Sequence, residues 1–257
     1  MADYPFVKGH GTENDFVIVP ADVELTPERA RALCDRRAGI GGDGVIRAVR
    51  QDGRWFMDYL NSDGSVSEMC GNGIRLYARY LHDREDEPFP MEIGTRDGVK
   101  TLTHDDGLVT VDLGTPRVLG ETTVAVDGRS WPATQVDMGN PHAVALVDDL
   151  TDAGSLLTPP EHDPAVYPDG VNVEFVVRRG EHHVAMRVHE RGSGETRSCG
   201  TGACAAMVAA ATADGRGRGS AYRVDVPGGT LTITWTDDDR VLLTGPAVMV
   251  ATGTTGL

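Results

Sequence analysis

Two cysteines in this chain each open a glycine turn that runs into a helical pattern. MCGNGIRLYARYL (69–81) and SCGTGACAAMVAA (198–210) share the order cysteine, Gly-X-Gly, helix, and Cys70 and Cys199 lie 129 positions apart (199 − 70). The same offset lays Asn61 onto Glu190 and Gly71 onto Gly200. A thiol at a helix start sits beside unpaired backbone N–H groups and the positive end of the helix dipole. Both favour the thiolate, lowering a pKa that is about 8.5 in a free chain. The Gly-X-Gly that follows leaves N–H groups bare, a cradle suited to a carboxylate. Two such cradles gripping one α-carboxylate would set a sulfur on either side of the carbon next to it. That arrangement suits removal of an α-proton from one face and return of a proton on the other. One cysteine is then thiolate and its partner thiol, and they exchange roles with the handedness of the substrate. The developing enolate charge meets dipoles already in place. No cofactor is required.

The elements that must position these cysteines are mostly short strands between Gly, Asp and Asn turns. DFVIV (15–19), RWFMDYL (54–60), VKTLTH (99–104) and LVTVDLG (108–114) read as strands of the first half, the last two joined by an Asp105-Asp106-Gly107 hairpin turn. TTVAV (122–126), HAVALV (142–147), VNVEFVVR (171–178), HHVAMRV (182–188) and the run from Tyr222 to Val250 supply the second. Thr26-Pro27-Glu28 predicts a capped helix running to about Arg36. In the helix after Cys70, Ile74, Tyr77, Ala78 and Leu81 form an apolar stripe with Arg75, Arg79 and His82 opposite. The helix after Cys199 has no polar side before Thr212 and should be wholly buried. Thr158–Gly170, with four prolines, reads as a surface loop. The expectation is an α+β protein of two pseudo-symmetric domains, each a strand-rich sheet wrapped around a central buried helix. Residues 1–115 would form the half carrying Cys70, joined by the last strand at 246–257, and residues 116–245 the half carrying Cys199.

Composition narrows the function. The net charge of −15, from 24 basic and 39 acidic residues, repels phosphate backbones and anionic membranes and disfavours nucleic-acid binding. The start, MADYPFVKGHG, lacks the pattern of a signal peptide, and ACAAMVAAA (203–211) is half the length needed to span a bilayer, so a cytoplasmic protein is expected. Four cysteines in 257 residues make no disulfide scaffold. Cys34 and Cys204 fit small buried hydrophobes. Cys199 and Cys204 are wrongly spaced for zinc on a helix, and no metal site is expected. The glycines of GIGGDG (39–44) are out of register for a dinucleotide fingerprint.

Motifs along nearly the whole chain carry a family resemblance: KGHGTENDFVIV (8–19), RRAGIGGDGV (36–45), NSDGSVSEMCGNGIR (61–75), DMGNPHAV (137–144), GVNVEFV (170–176), HERGSGETRSCGTGACA (189–205) and VPGGTLTITW (226–235). In these the chain resembles the diaminopimelate epimerases. The resemblance implies interconversion of LL- and meso-2,6-diaminopimelate without pyridoxal phosphate, on the route to lysine and peptidoglycan, with Cys70 and Cys199 as the catalytic pair. It implies that Gly71-Asn72 and Gly200-Thr201 hold the reacting carboxylate. It also implies that Asn14, Asn61, Asn140, Asn172, Glu190 and Arg191 fix the substrate and its distal amino-acid end, and that His142 and Glu190 tune the cysteines. Gly44 stands where many family members carry a glutamine, and Glu13 where a glycine is common. Taken alone, His142 would read as a loop histidine, Asn14 and Asn172 as turn residues, and Glu190-Arg191 as an ion pair at a strand end.

Two other readings are weighed. A relative on the same fold acting on another amino acid, such as proline, would have no use for Arg191 and four asparagines at a distal zwitterion. A thiol hydrolase using Cys199 and a histidine would leave the second cysteine cradle unexplained. The expected partner is a small amino-acid substrate. The residues leave the oligomeric state open, a homodimer included.

Overall fold

The computed structural model describes residues 3–257; Met1 and Ala2, the first residues of the segment read for a signal peptide, lie outside them. The chain divides into two compact units, Met1–Val111 with Gly245–Leu257, and Asp112–Thr244. In the first, β1 (Tyr4–Gly11), β2 (Asn14–Pro20), α1 (Pro27–Cys34), β3 (Gly44–Gln51), β4 (Arg54–Asn61), α2 (Gly71–Glu85), β5 (Met91–Thr95), β6 (Gly98–Asp105) and β7 (Leu108–Asp112) follow in order. The second contains β8 (Arg117–Val126), β9 (Arg129–Asp137), β10 (Pro141–Leu146), β11 (Glu161–His162), β12 (Asn172–Gly180), β13 (His183–Glu190), β14 (Gly194–Thr196), α3 (Gly200–Ala213), β15 (Ser220–Val226), β16 (Gly229–Trp235) and β17 (Val241–Pro246). The last strand, β18 (Val248–Thr255), pairs with β1.

Each unit repeats one strand order. From β18 through β1 to β7 the neighbours run antiparallel, antiparallel, parallel, antiparallel, parallel, antiparallel, antiparallel. From β8 through β9, β10, β12, β13, β15 and β16 to β17 the senses are the same. The element starts carry the offset of the cysteines: 183 − 54, 200 − 71 and 220 − 91 all equal 129. In each unit the helix bridges two parallel strands, β4 to β5 and β13 to β15, a connection that needs a crossover segment on the face of the sheet. The fold is α+β, two pseudo-symmetric strand-rich units each holding a buried helix.

Burial explains the local pattern. β2 is buried continuously from Phe16 to Val19 because both faces are covered. Phe16, Ile46 and Met57 lie against Gly73 of α2, while Val17, Val19, Val45 and Leu60 cluster with Ala30, Leu33 and Cys34 of α1. The outer face of the second unit carries a cluster of Val124, Trp131, Ala133, Ala143, Ala145, Val173 and Phe175. α3 packs on β9, β10, β12, β13, β15 and β16. Every residue from Gly202 to Ala211 is buried, and most are alanine, so the strands approach the helix backbone closely.

The structure departs from the sequence pattern in four places. α1 stops at Cys34 rather than near Arg36, because the Asp35 side chain accepts the N–H groups of Arg37 and Ala38 and turns the chain. Its N-cap is Thr26, which accepts from Arg29 N at 3.2 Å. Arg75 does not lie on a solvent face: it is fully buried, with Nη1 on the Gly71 carbonyl at 3.0 Å, because the first two turns of α2 lie inside the unit. The proline segment after Thr158 contains β11, paired with β8, and buries Tyr167. β1, β3, β5, β9 and β14 lie outside the strand patterns of the sequence, being short or broken by glycine, proline and charge.

Among the described residues no helix is long and apolar enough to cross a membrane. A larger side chain in α3 has no space to enter. Ala206→Leu is expected to lower unfolding free energy by about 1–3 kcal/mol, measured by urea denaturation, and an unchanged midpoint would contradict the close approach.

Candidate active site

Cys70 and Cys199 are the N-cap residues of α2 and α3. Both adopt extended backbone geometry (φ −139°, ψ 122° and φ −112°, ψ 118°), and each sulfur accepts the N–H of the third helical residue: Gly73 at 3.5 Å and Gly202 at 3.3 Å. Ser, Thr, Asp or Asn ordinarily hold this position. The first two N–H groups of each helix, those of Gly71 and Asn72 in one and of Gly200 and Thr201 in the other, lie at a helix N-terminus, where backbone N–H groups and the helix dipole suit an anion.

In the first unit the neighbours described around Cys70 are amides. The thiol donates to Asn14 Oδ1 at 3.5 Å, and Asn72 Nδ2 donates to the same oxygen at 3.2 Å. Thr12 Oγ1 lies 3.4 Å from Asn72 Oδ1. Asn14 is in turn oriented by Asp43, whose Oδ2 accepts from its Nδ2 at 2.7 Å and from Asp15 N at 3.1 Å. Arg36 bridges Asp43 and Asp15, each at 2.7 Å. Burial opposes ionisation of Asp15, but hydrogen bonds from Arg36 and Lys8 outweigh it and hold the carboxyl well below the usual range. Asn61, at the end of β4, hydrogen-bonds Tyr59 and Ser65.

In the second unit the surroundings are ionisable. Glu190 is half-buried, accepts from Thr196 Oγ1 and hydrogen-bonds the Cys199 sulfur. A chain of side chains also reaches the sulfur from below. Thr201 Oγ1 lies 3.6 Å from Cys199 Sγ and accepts from Asn140 Nδ2 at 3.3 Å. Asn140 Oδ1 meets His142 Nε2 at 3.0 Å, and His142 Nδ1 meets Glu174 Oε1 at 2.6 Å. Because Asn140 spends its NH₂ on Thr201, its oxygen faces the ring, so Nε2 carries a proton. The Nδ1–Glu174 contact then shares one further proton, between two side chains that are both fully buried. Burial raises the Glu174 and Glu190 carboxyls. It also pushes the Cys199 thiol well up, and the charges of Glu190 and Glu174 add to this against the hydrogen bonds from Thr201 and Gly202.

Glu174 is the residue that sequence reasoning missed. An acid in the otherwise apolar run VNVEFVV was its signal, since β12 is buried from Asn172 to Val177. Its Oε1 lies where a Cβ on Gly202 would come within 2.7 Å, which accounts for the second glycine of Gly-Thr-Gly. Asp43 was likewise passed over inside GIGGDG. Asn172 and Arg191 are joined to each other: Arg191 N donates to Asn172 Oδ1 at 2.9 Å, while Asn172 Nδ2 donates to the Pro141 carbonyl at 3.1 Å. The Arg191 guanidinium is exposed, 3.3 Å from the Asp169 carbonyl. Cys34 is buried, its thiol pushed up to about 12 by burial, and Cys204 is fully buried on α3. Among the described residues no His, Cys, Asp and Glu side chains group to hold a metal.

The sequence profile of diaminopimelate epimerase matches residues 6–119 and 134–250. The chain belongs to the diaminopimelate epimerase family. A family member from Streptomyces coelicolor is 56% identical over 96% of this chain and 94% of its own. One from Corynebacterium glutamicum strain R is 45% identical over 97% of each. Among solved structures, a Bacillus anthracis phenazine biosynthesis protein of the PhzF family superposes over the full length of both chains (TM-score 0.75, 16% identity). A hydroxyproline epimerase from Agrobacterium vitis covers 98% of this chain and 92% of its own (TM-score 0.70, 14% identity). At such identities the neighbours establish the shared fold.

The contrast between the two cysteine environments has a direct readout. Iodoacetamide at pH 8 is expected to label Cys70 first by peptide mapping. Cys199, its thiol raised, reacts only as pH climbs further, and Glu190→Gln should move that onset to lower pH. Primary labelling of Cys199 would contradict the assigned environments.

Proposed function

We propose that Cys70 and Cys199 are the base and acid of a cofactor-independent epimerisation that interconverts LL- and meso-2,6-diaminopimelate. The observation that carries the assignment is the repeated one: in a chain of this family, each unit presents a cysteine as the N-cap of a buried helix, its sulfur on the N–H of the third helical residue. One sulfur removes the α-proton as thiolate and the other, as thiol, delivers a proton to the opposite face; the reverse reaction exchanges their roles. No net proton is consumed, so the pair titrates as a unit.

The donors of Gly71-Asn72 and Gly200-Thr201 are suited to the reacting carboxylate, whose charge grows as the carbanion forms. Asn14, Asn61, Asn140, Asn172, Glu190 and Arg191 bind the substrate. Arg191, with its guanidinium exposed, suits a distal carboxylate, which a guanidinium grips bidentately. Burial and the charges of Glu190 and Glu174 favour the protonated form of Cys199, so the resting proton resides there, and His142 and Glu190 tune that sulfur. The enzyme is an isomerase of lysine biosynthesis, and its products also suit peptidoglycan assembly. The net charge of −15 suits work on a free amino acid and disfavours nucleic acid or an anionic membrane as partner.

The test is wash-in of solvent deuterium at the α-carbon, without added metal or pyridoxal phosphate, across LL- and meso-diaminopimelate, proline and lysine. Exchange is expected with the two diaminopimelates. Cys70→Ala and Cys199→Ala should each lose turnover on the order of 10³-fold or more, since either direction needs both sulfurs. Full turnover in one of them would overturn the two-base mechanism.

A further inference from the structure

Gly44 and Asn61 are register partners across β3 and β4, and Tyr59 lies two residues before Asn61 on the same face of its strand. The Tyr59 ring crosses directly over Gly44. A Cβ there would fall inside van der Waals contact of Tyr59 Cε2 and lie 2.7 Å from the Leu60 carbonyl oxygen. The ring is 5% exposed and packs edge-on against Phe16, with centroids 5.6 Å apart. Its hydroxyl donates to Asn61 Oδ1 at 2.7 Å, while Asn61 Nδ2 donates to Ser65 Oγ at 3.0 Å.

These contacts leave the half-buried Asn61 amide with one polarity. A terminal amide rotates between presenting its oxygen and its NH₂, and which end faces a ligand decides whether it meets an anion or a cation. Here the oxygen is held by a phenolic donor, and Ser65 takes one of the two amide hydrogens. The second hydrogen is the group Asn61 can offer outward. We propose that Tyr59 is a specificity-determining positioning residue: it locks Asn61 as a hydrogen-bond donor, so that Asn61 selects a carboxylate of the substrate over an ammonium. Gly44 is the other half of the device. It has no side chain, and the Tyr59 ring occupies the space a Cβ there would fill. The inference rests on the proposed role of Asn61 in substrate binding and adds how its orientation is set.

The experiment compares wild type, Tyr59→Phe and Gly44→Ala in the full chain. Tyr59→Phe keeps the ring and its packing on Phe16 and removes only the hydroxyl. Gly44→Ala keeps the hydroxyl and displaces the ring. Binding of meso-diaminopimelate is measured by calorimetry, and KM and kcat by solvent-deuterium exchange. Both variants should bind about tenfold more weakly, with KM raised by a similar factor and kcat within about twofold. A merely structural tyrosine would leave this split unmoved. Binding within twofold of wild type in Tyr59→Phe, or a fall in kcat at unchanged KM, overturns the proposal. If wild type binds the amino acid but exchanges no α-hydrogen, the two-cysteine reading fails, and the calorimetric comparison still decides the role of Tyr59.

Discussion

The site depends on helices whose first turns are buried. At an exposed helix start, water satisfies the free N–H groups; inside a sheet they must find an acceptor in the protein or in a ligand. Here a sulfur takes the third N–H in each unit. The same burial removes water from around the sulfur, which opposes its ionisation. Thiolate chemistry therefore rests on the balance between helix-end donors and desolvation, and the side chains beneath each helix set that balance.

The two units strike it differently. Their strand order and element spacing are the same, yet the partners of the two sulfurs have diverged. Cys70 is set among Asn14, Asn72 and the Gly73 N–H, and Asp43 orients Asn14. Cys199 is set above Glu190 and at the end of the chain running through Thr201, Asn140 and His142 to Glu174. A two-base epimerase needs one sulfur charged and one protonated at any moment. A duplicated backbone supplies two equivalent positions; unequal neighbours break the tie.

Close side-chain neighbours also explain the glycines of these motifs. Gly202 lacks a side chain because Glu174 approaches its Cα, Gly73 because Met57 and Phe16 do, and Gly44 because Tyr59 crosses it. In each case the missing methyl is the space that a side chain from a neighbouring strand occupies.

Much was legible from the chain alone. Cysteine followed by Gly-X-Gly, twice, announced two N-capped helices, and the 129-residue offset between them recurs in the element starts. The unbroken apolar run after Cys199 implied a buried helix, and the motifs identified the family. These features are local or periodic, and a linear pattern records them directly. What required the tertiary structure was who meets whom. Arg75 occupies the polar side of a helical wheel and is nevertheless buried, since only the fold decides which turns lie inside the sheet. Glu174 looked like one acid in a strand; its role comes from His142, which parallel pairing of β10 with β12 brings alongside across 32 residues. Asn61 was nameable from the family resemblance, but the hydroxyl its side-chain oxygen accepts from belongs to a Tyr59 ring lying over Gly44, which only the paired strands show. Hydrogen-bond direction and burial are properties of assembled neighbours, and no spacing along one strand contains them.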